Sequence, residues 1–189
     1  MIEIGINKEQ RLAKRLRNGE NGAMQEFYTF YAEQLAGVCA RYIVDKEDMK
    51  DVFQESLVHI ITHIYDFEYR GEGSLQAWAT KVVVNESLNF LRKTKRQELL
   101  LMERDTSEEP EADEPQIEDI PPEVLHQMVS QLPTNYRTAL NLYAFENKSH
   151  QEIAKLLGIK EKSSSSLLRR AKDLLAKKIK EYNKQYHPR

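Results

Sequence analysis

This sequence has a single cysteine and lacks long apolar runs and recognisable targeting signals. Cys39 is the single cysteine, so no disulfide can form within the chain. The hydrophobic content of 40% is enough for packed cores, yet no apolar run is long enough to cross a bilayer. The N-terminal stretch has neither the basic start nor the apolar core of a signal peptide. These absences predict a soluble, cytoplasmic protein in a reducing compartment.

Motifs for catalysis, phosphate binding or metal binding are also scarce. No nucleophile is paired convincingly with a base, and the Gly-x-Gly of Gly71 and Gly73 lacks the strand context of a phosphate loop. Glu55, His59 and His63 are spaced i, i+4, i+8, which could place three metal ligands on one helix face, although no fourth ligand is nearby. A metal-dependent nucleic-acid enzyme is therefore kept as an alternative. The prediction is a protein without enzymatic activity, metal or cofactor.

The overall charge of −2 hides three blocks of different sign. Residues 1–97 are balanced, with 14 Lys or Arg against 14 Asp or Glu. Residues 98–123 carry 1 basic and 11 acidic residues with four prolines, which predicts an extended, mobile linker. Residues 124–189 carry 13 basic against 5 acidic residues, so a polyanion is the expected partner of this block.

Apolar residues recur at spacings of three and four on both sides of the linker, which predicts helices. Before the linker we expect helices over residues 7–17, over 23–43, from 45 onward and over 75–96. The predicted core positions of the second and third helices are Met24, Phe27, Tyr28, Tyr31, Leu35, Val38, Tyr42, Met49, Val52, Phe53, Leu57, Ile60 and Ile64. After the linker, periodicity resumes at Val124 and breaks at Pro133. The predicted fold class is all-α, with a four-helix domain over 1–97 and a helix-turn-helix domain over 124–189.

Residues 149–172 have the pattern of two helices joined by one glycine. Ser149 and Glu152 have the spacing of a capping box at the start of the first helix. Gly158 stands where a helix ends in the left-handed conformation, and a basic second helix begins near Glu161. Two helices joined in this way are typical of a helix-turn-helix, whose second helix fits the major groove of DNA. An ordinary helical hairpin inside a bundle is the alternative.

The predicted fourth helix has a polar face that is unusual for a solvated surface. Its members fall within an arc of about 80° and are Trp78, Lys81, Asn85, Asn89, Arg92 and Arg96. A ring for stacking, amides for base edges and cations for phosphates are what an exposed DNA strand needs. A solvated basic face is the alternative. The preceding loop, residues 65–74, holds three rings that either stack on bases or fold back onto the core.

Four segments in this order resemble bacterial RNA polymerase sigma factors of the extracytoplasmic-function class, in the sigma-70 family. They are DVFQESL (51–57), FEYRGEGSLQAWATKVVVNESLNFLRK (67–93), LPTNYRTALNLY (132–143) and the helix-turn-helix. The resemblance covers almost the whole chain. It implies a first domain that docks on the clamp of core RNA polymerase and opens the −10 element of promoter DNA, and a second that binds the −35 element as duplex.

The resemblance also implies roles for individual residues. The surface for core polymerase would be the acidic patch of the third helix, Asp48, Asp51, Gln54 and Glu55. The −10 strand would meet Tyr65, Tyr69, Arg70, Trp78, Lys81, Asn85, Arg92 and Arg96, with Tyr69 in the pocket for a flipped base. The −35 element would meet Ser165, Ser166, Arg169, Arg170 and Lys172. An anti-sigma protein that holds the factor inactive is a further partner that the resemblance implies.

The second helix of the motif departs from the family pattern. Ser164 stands where a β-branched apolar residue is usual, and Ser165 and Leu167 stand where basic residues are usual. Ser164 falls on the inward stripe with Leu168 and Ala171, so we expect weaker packing there. A helix-turn-helix regulator that binds duplex DNA without joining polymerase is the alternative function.

Overall fold

The computed structural model describes residues 8–94 and 120–186, and all of their regular structure is helical. This confirms the predicted all-α class for the described residues. They form two compact units that divide between Leu91 and Arg92, and the second unit contains a helix-turn-helix. Within these ranges, no helix combines the length and apolar character needed to cross a membrane. Of the predicted elements, Arg96 and nearly all of the acidic linker lie outside the described residues.

Within residues 8–94, the structure has four α-helices and a short 3-10 helix, and all but the last turn of the fourth α-helix lies in the first unit. They are α1 Lys8–Arg17, α2 Ala23–Tyr42, α3 Lys46–Thr62, the 3-10 helix Ile64–Asp66 and α4 Ser74–Thr94. The turn between α1 and α2 passes through Gly19 and Gly22, both with positive φ, which glycine adopts without a steric penalty. Asp45 caps α3, because its side chain accepts hydrogen bonds from the backbone N–H groups of Glu47 and Asp48 at 3.0 Å.

Most of the predicted apolar stripes face the core of this unit. Phe27, Leu35, Val38 and Tyr42 of α2 are buried, as are Val52 and Ile60 of α3 and Ile64. Met24, Tyr31, Met49, Phe53 and Leu57 are partly buried. Tyr28 was expected in the core but is 48% exposed, because it lies at the edge of the stripe beside the buried Phe27. The helical period of 3.6 residues therefore predicted the core faces correctly, except for Tyr28 at the edge of the α2 stripe.

Within residues 120–186, the second unit has four α-helices, and the longest of them packs against the other three. They are α5 Pro122–Ser130, α6 Thr134–Ala144, α7 His150–Leu157 and α8 Glu161–Tyr186. The last helix contacts the other three, and one core cluster consists of Leu132, Tyr136, Leu140, Leu168 and Ala171. Ile120 is buried with Met128 and Ile179 in a second cluster. Packed structure therefore begins before Val124, where the periodicity resumes in sequence.

Candidate nucleic-acid and polymerase interfaces

The polar face predicted for α4 lies outside the core. Lys81, Asn85 and Arg92 are exposed, while Trp78 and Asn89 are partly buried. The opposite side of the helix is buried through Leu75, Ala79, Val83, Val84, Ser87, Leu88 and Leu91. The helix thus presents a ring, an amide and two cations along one side, which is the chemistry that a single strand of nucleic acid requires.

Trp78 is held in place by an aromatic neighbour that sequence reasoning did not assign to the site. Its ring centroid lies 5.6 Å from that of Phe67, and the two planes are tilted by 53°. Phe67 is buried, so it fixes one side of the indole while part of the indole stays accessible. Tilted aromatic pairs at this distance stabilise one ring orientation. Phe67 is therefore a positioning residue for Trp78.

Of the three rings in the loop before α4, one folds back onto the core and two remain at least partly accessible. Phe67 folds back onto the core, whereas Tyr65 is 71% exposed and its hydroxyl donates a hydrogen bond to the backbone oxygen of Arg17 at 2.6 Å. Tyr69 is partly buried beside α1. Arg70 is exposed and forms an ion pair with Glu68 at 2.9 Å. The loop therefore keeps two rings and a guanidinium at its surface.

The start of α4 is fixed by a residue far away in sequence. Glu9 of α1 is buried, and its Oε1 accepts hydrogen bonds from the backbone N–H groups of Leu75 and Gln76 at 3.0 and 3.2 Å. These are two of the N–H groups that a helix leaves without partners at its start. Tyr31 donates to the same oxygen at 3.5 Å, and burial together with Glu9 raises the pKa of Tyr31 to about 12.

Sequence reasoning missed Glu9, although a signal existed. The side chain occupies a fourth position of the stripe formed by Leu12, Ala13 and Leu16, where only apolar residues are expected. A charged residue within an apolar stripe indicates a buried partner, because a carboxylate is buried at high cost unless it is hydrogen-bonded. The identity of the partner required the tertiary structure.

The acidic patch of α3 is exposed at all four of its predicted positions, Asp48, Asp51, Gln54 and Glu55. The same side continues into Val58 and Ile61, which are 60% and 38% exposed. Apolar residues next to a polar patch are typical of protein interfaces. Val58 and Ile61 were not predicted as surface residues, and their signal in sequence is that they lie outside the core stripe of the helix.

The described residues do not bring Glu55, His59 and His63 together as metal ligands. His59 Nδ1 lies 2.9 Å from a carboxylate oxygen of Glu86, and its ring packs on that of His63 at 4.0 Å. Within residues 8–94 and 120–186, no group of three His, Cys, Asp or Glu side chains is placed to hold a metal ion. Cys39 is buried, and burial raises the pKa of its thiol.

The helix-turn-helix has the caps that the sequence predicts. The Ser149 hydroxyl accepts from the backbone N–H of Glu152 at 3.3 Å, and the Glu152 carboxylate accepts from the backbone N–H of Ser149 at 2.9 Å. Gly158 ends α7 with φ of 69° and ψ of 33°, in the left-handed region. The predicted capping box and glycine turn are both confirmed.

The position of Ser164 on the inward side of α8 is also confirmed. Ser164 is 0% exposed beside Leu168 and Ala171 on the same stripe. Its hydroxyl lies 3.2 Å from His150 Nδ1 at the start of α7, so a hydrogen bond joins the two helices at the position where weaker packing was expected. The ring of His150 in turn stacks on Tyr143 of α6, with centroids 5.6 Å apart.

The residues predicted to contact duplex DNA lie in the first half of α8, and they differ in exposure and in their contacts. Ser165 and Lys172 are exposed, and Ser166, Arg169 and Arg170 are partly buried. The Ser166 hydroxyl donates to the backbone oxygen of Lys162 at 3.1 Å. Arg169 pairs with Asp173 at 3.7 Å, and the Lys172 ammonium lies 5.9 Å from the ring centre of Tyr143. Part of the positive charge of this helix is therefore engaged within the unit.

Two family profiles match the chain, "Sigma-70 region 2" over residues 27–97 and "Sigma-70, region 4" over residues 123–175. The ECF RNA polymerase sigma-E factor of Haemophilus influenzae is 26% identical over 182 residues, covering 90% of this chain and 95% of that protein. The ECF RNA polymerase sigma factor SigM of Bacillus subtilis is 26% identical over 157 residues, covering 80% and 92%. A solved structure of the sigma factor RpoE from Bartonella quintana, in complex with the anti-sigma factor NepR, matches with a TM-score of 0.50 at 18% identity. It covers 84% of this chain and 98% of that one, and the likeness shows a shared fold.

Proposed function

Because the chain belongs to the sigma-70 family, in its extracytoplasmic-function class, we propose that it joins core RNA polymerase and directs it to promoters. Residues 1–97 form the domain that binds core polymerase and the −10 element, and residues 124–189 form the domain that binds the −35 element. The observation that carries the proposal is the exposed polar face of α4, with Trp78 held against the buried Phe67.

The first domain acts by differential binding rather than by chemistry. Unstacking a base costs a few kcal/mol, and a ring that stacks on the freed base contributes about 1–3 kcal/mol. Trp78 supplies that ring, Asn85 supplies an amide for a base edge, and Lys81 supplies a cation for a phosphate. Tyr65, Tyr69 and Arg70 of the loop and Arg92 further along α4 extend the same surface. Arg96, outside the described residues, is the further cation that we propose for the strand. The melted strand is therefore bound more tightly than the duplex.

Docking on polymerase uses the exposed side of α3. Asp48, Asp51, Gln54 and Glu55 provide a polar patch for the clamp region, and Val58 and Ile61 add apolar area at its end. An interface of this composition combines electrostatic orientation with apolar burial. The same side of the helix is open to an anti-sigma protein, which is the further partner that we propose.

The second domain binds intact duplex and so fixes the position of the protein on the promoter. Its helix-turn-helix places the start of α8 in the major groove, where Ser165 and Ser166 can reach base edges. Arg169, Arg170 and Lys172 supply positive charge toward the phosphates. The protein has no enzymatic activity of its own and needs no cofactor, and it acts in the cytoplasm, where polymerase and chromosome are found.

Promoter opening by core polymerase tests this function. We expect the double variant Trp78→Ala, Asn85→Ala to bind core polymerase normally but to form open complexes at roughly one tenth of the rate or less, since it loses one stacked base. The matched control is Tyr186→Ala with Gln185→Ala, which removes an exposed ring and an amide from the end of α8. Unchanged open-complex formation by the first variant would contradict the mechanism.

A further inference from the structure

A cavity of about 330 Å³ lies between α1, α2 and the start of α4. Its volume is at the small end of the range for sites that hold a small molecule. Two rings, three carboxylates and one ammonium group line it, namely Phe30, Tyr31, Glu9, Glu26, Glu72 and Lys8. The proposed function assigns none of these six side chains to core polymerase or to promoter DNA.

The two rings form inclined walls of the cavity. The centroids of Phe30 and Tyr31 lie 6.4 Å apart, and the ring planes meet at 64°. Tyr31 is partly buried and packs on the buried Phe27, with centroids 5.1 Å apart, so its ring is held in place. Phe30 is 64% exposed and keeps its ring accessible. The face of an aromatic ring carries negative potential, so such walls attract a cation.

Two of the three carboxylates already have partners. Glu9 accepts hydrogen bonds from the first N–H groups of α4, and Glu26 forms an ion pair with Arg15. Glu72 is different, because it is exposed and its side chain has no hydrogen bond or ion pair with any residue in 8–94 or 120–186. Its carboxylate is therefore available to accept a charged hydrogen bond from a ligand.

Neither source of positive charge at the cavity cancels that of Glu72. Lys8 is exposed and, among residues 8–94, forms no ion pair with Glu9, Glu26 or Glu72. The positive end of the α4 dipole is compensated by Glu9, which binds its N–H groups. Three formal negative charges thus face one positive charge in the lining. A phosphate would be repelled here, whereas a cation would be attracted.

Inclined rings beside an available carboxylate match an organic cation. A guanidinium or primary ammonium group donates N–H groups to a carboxylate and places its charge on a ring face. Its alkyl chain can cover apolar surface, which suits the exposed ring of Phe30. A bare metal ion suits the cavity less, because no three His, Cys, Asp or Glu side chains in the described part of the chain are placed to hold one.

We propose that this cavity binds a primary ammonium or guanidinium group, with the charged head on Glu72 and the alkyl chain against Phe30 and Tyr31. Two sources share this chemistry, namely a free polyamine and a lysine or arginine side chain of a partner protein. The inference goes beyond the proposed function and does not depend on it, because none of the groups involved contacts the promoter or polymerase in that proposal.

The test is an NMR titration of the isotope-labelled full-length chain, read at the backbone amides of Gly73 and Gln76, which also line the cavity. The probes are spermidine, Nα-acetyl-arginine amide and the uncharged butylurea. We expect saturable shifts with a cation and a dissociation constant on the order of 1 mM, as one cation–π contact and one charged hydrogen bond would give. Glu72→Gln should weaken binding roughly tenfold and Phe30→Leu roughly fivefold. Both positions are exposed, so both variants are expected to fold.

The matched controls are Glu33→Gln and Tyr28→Leu, which change an exposed carboxylate and an exposed ring of α2 outside the cavity. Full affinity in both controls, with weaker binding in the two cavity variants, supports the site. Tighter binding of spermidine then identifies a free polyamine as the ligand, and tighter binding of the arginine amide identifies a side chain of a partner protein.

Three results would overturn the site. Equal losses in Glu72→Gln and Glu33→Gln would show that net charge alone explains the binding. Butylurea that binds as well as the cations would show that the cavity does not select charge. The third is the absence of any shift at Gly73 and Gln76 with either cation. All three leave the proposed function standing, since open-complex formation tests it separately.

Discussion

The helices α4 and α7 begin in different ways, although each lies at a proposed DNA-binding surface. The N–H groups at the start of α4 are bound by Glu9, 66 residues earlier in the chain. The N–H group at the start of α7 is bound by Ser149, three residues away, within a capping box. The first arrangement depends on tertiary structure and the second on local sequence. A change in α1 can therefore disturb the α4 surface, whereas the helix-turn-helix is specified within its own segment.

The two surfaces also differ in what they offer to DNA. The first unit exposes Tyr65 and part of Trp78 beside single cations such as Arg70 and Lys81. The second unit has the excess of positive charge, yet Arg169 pairs with Asp173 and Lys172 lies over Tyr143. Rings bind unstacked bases and cations bind phosphates, so the first unit is suited to a melted strand and the second to a duplex.

The largest effect that we predict is the loss of the long-range cap. Glu9→Ala leaves two N–H groups of α4, one buried and one partly buried, without their acceptor, and we expect the free energy of unfolding of the first unit to fall by roughly 3 kcal/mol. Trp78 is the only tryptophan in the sequence and lies in this unit, so its fluorescence during urea unfolding reports the change. Glu9→Gln keeps an acceptor oxygen and should lose about half as much.

The matched control for the cap is Glu33→Ala, which removes an exposed carboxylate from α2. It should leave the free energy of unfolding, measured by Trp78 fluorescence in urea, within about 0.5 kcal/mol of the wild type, as is usual for surface substitutions. A Glu9→Ala variant as stable as this control would show that α4 does not depend on α1.

An intermediate effect is expected at the junction of the helix-turn-helix. Ser164→Ala removes the hydroxyl that meets His150 across the two helices, and we expect a loss of about 1 kcal/mol, the usual contribution of one hydrogen bond. The midpoint of thermal unfolding followed by circular dichroism should shift to lower temperature. The midpoint followed by Trp78 fluorescence should not change. Ser165→Ala, one residue along on the exposed side, is the control and should change neither signal.

The sequence predicted local structure well and interactions across the fold poorly. Helix positions, the core faces and the capping box depend on residues within one or two turns, so spacing is enough to identify them. The contact of Glu9 with α4, the packing of Trp78 on Phe67 and the pairing of His59 with Glu86 join separate helices. Their partners cannot be read from spacing, although a charge in an apolar stripe marks Glu9 as a residue that needs one.

The smallest predicted effect concerns the local cap and its pH dependence. Hydrogen bonds from the backbone N–H and hydroxyl of Ser149, then from Lys148, hold the pKa of the Glu152 carboxyl below its ordinary value of 4.5. Because the folded-state pKa is depressed, this stabilisation is complete above pH 4.5 and is lost as the pH falls through the folded value. Titration of the Glu152 side chain by NMR should show the lowered pKa directly.

Ser149→Ala separates the two contributions of that cap. The variant keeps the backbone N–H that binds Glu152 but lacks the hydroxyl, so the pKa of Glu152 should rise toward its ordinary value without reaching it. Lys148→Ala, which removes the contact that contributes less, should raise it less. A larger rise in the Lys148 variant than in the Ser149 variant would show that charge, rather than the capping box, holds the carboxylate. The start of α7 would then depend on the basic character of the second unit more than on local hydrogen bonds.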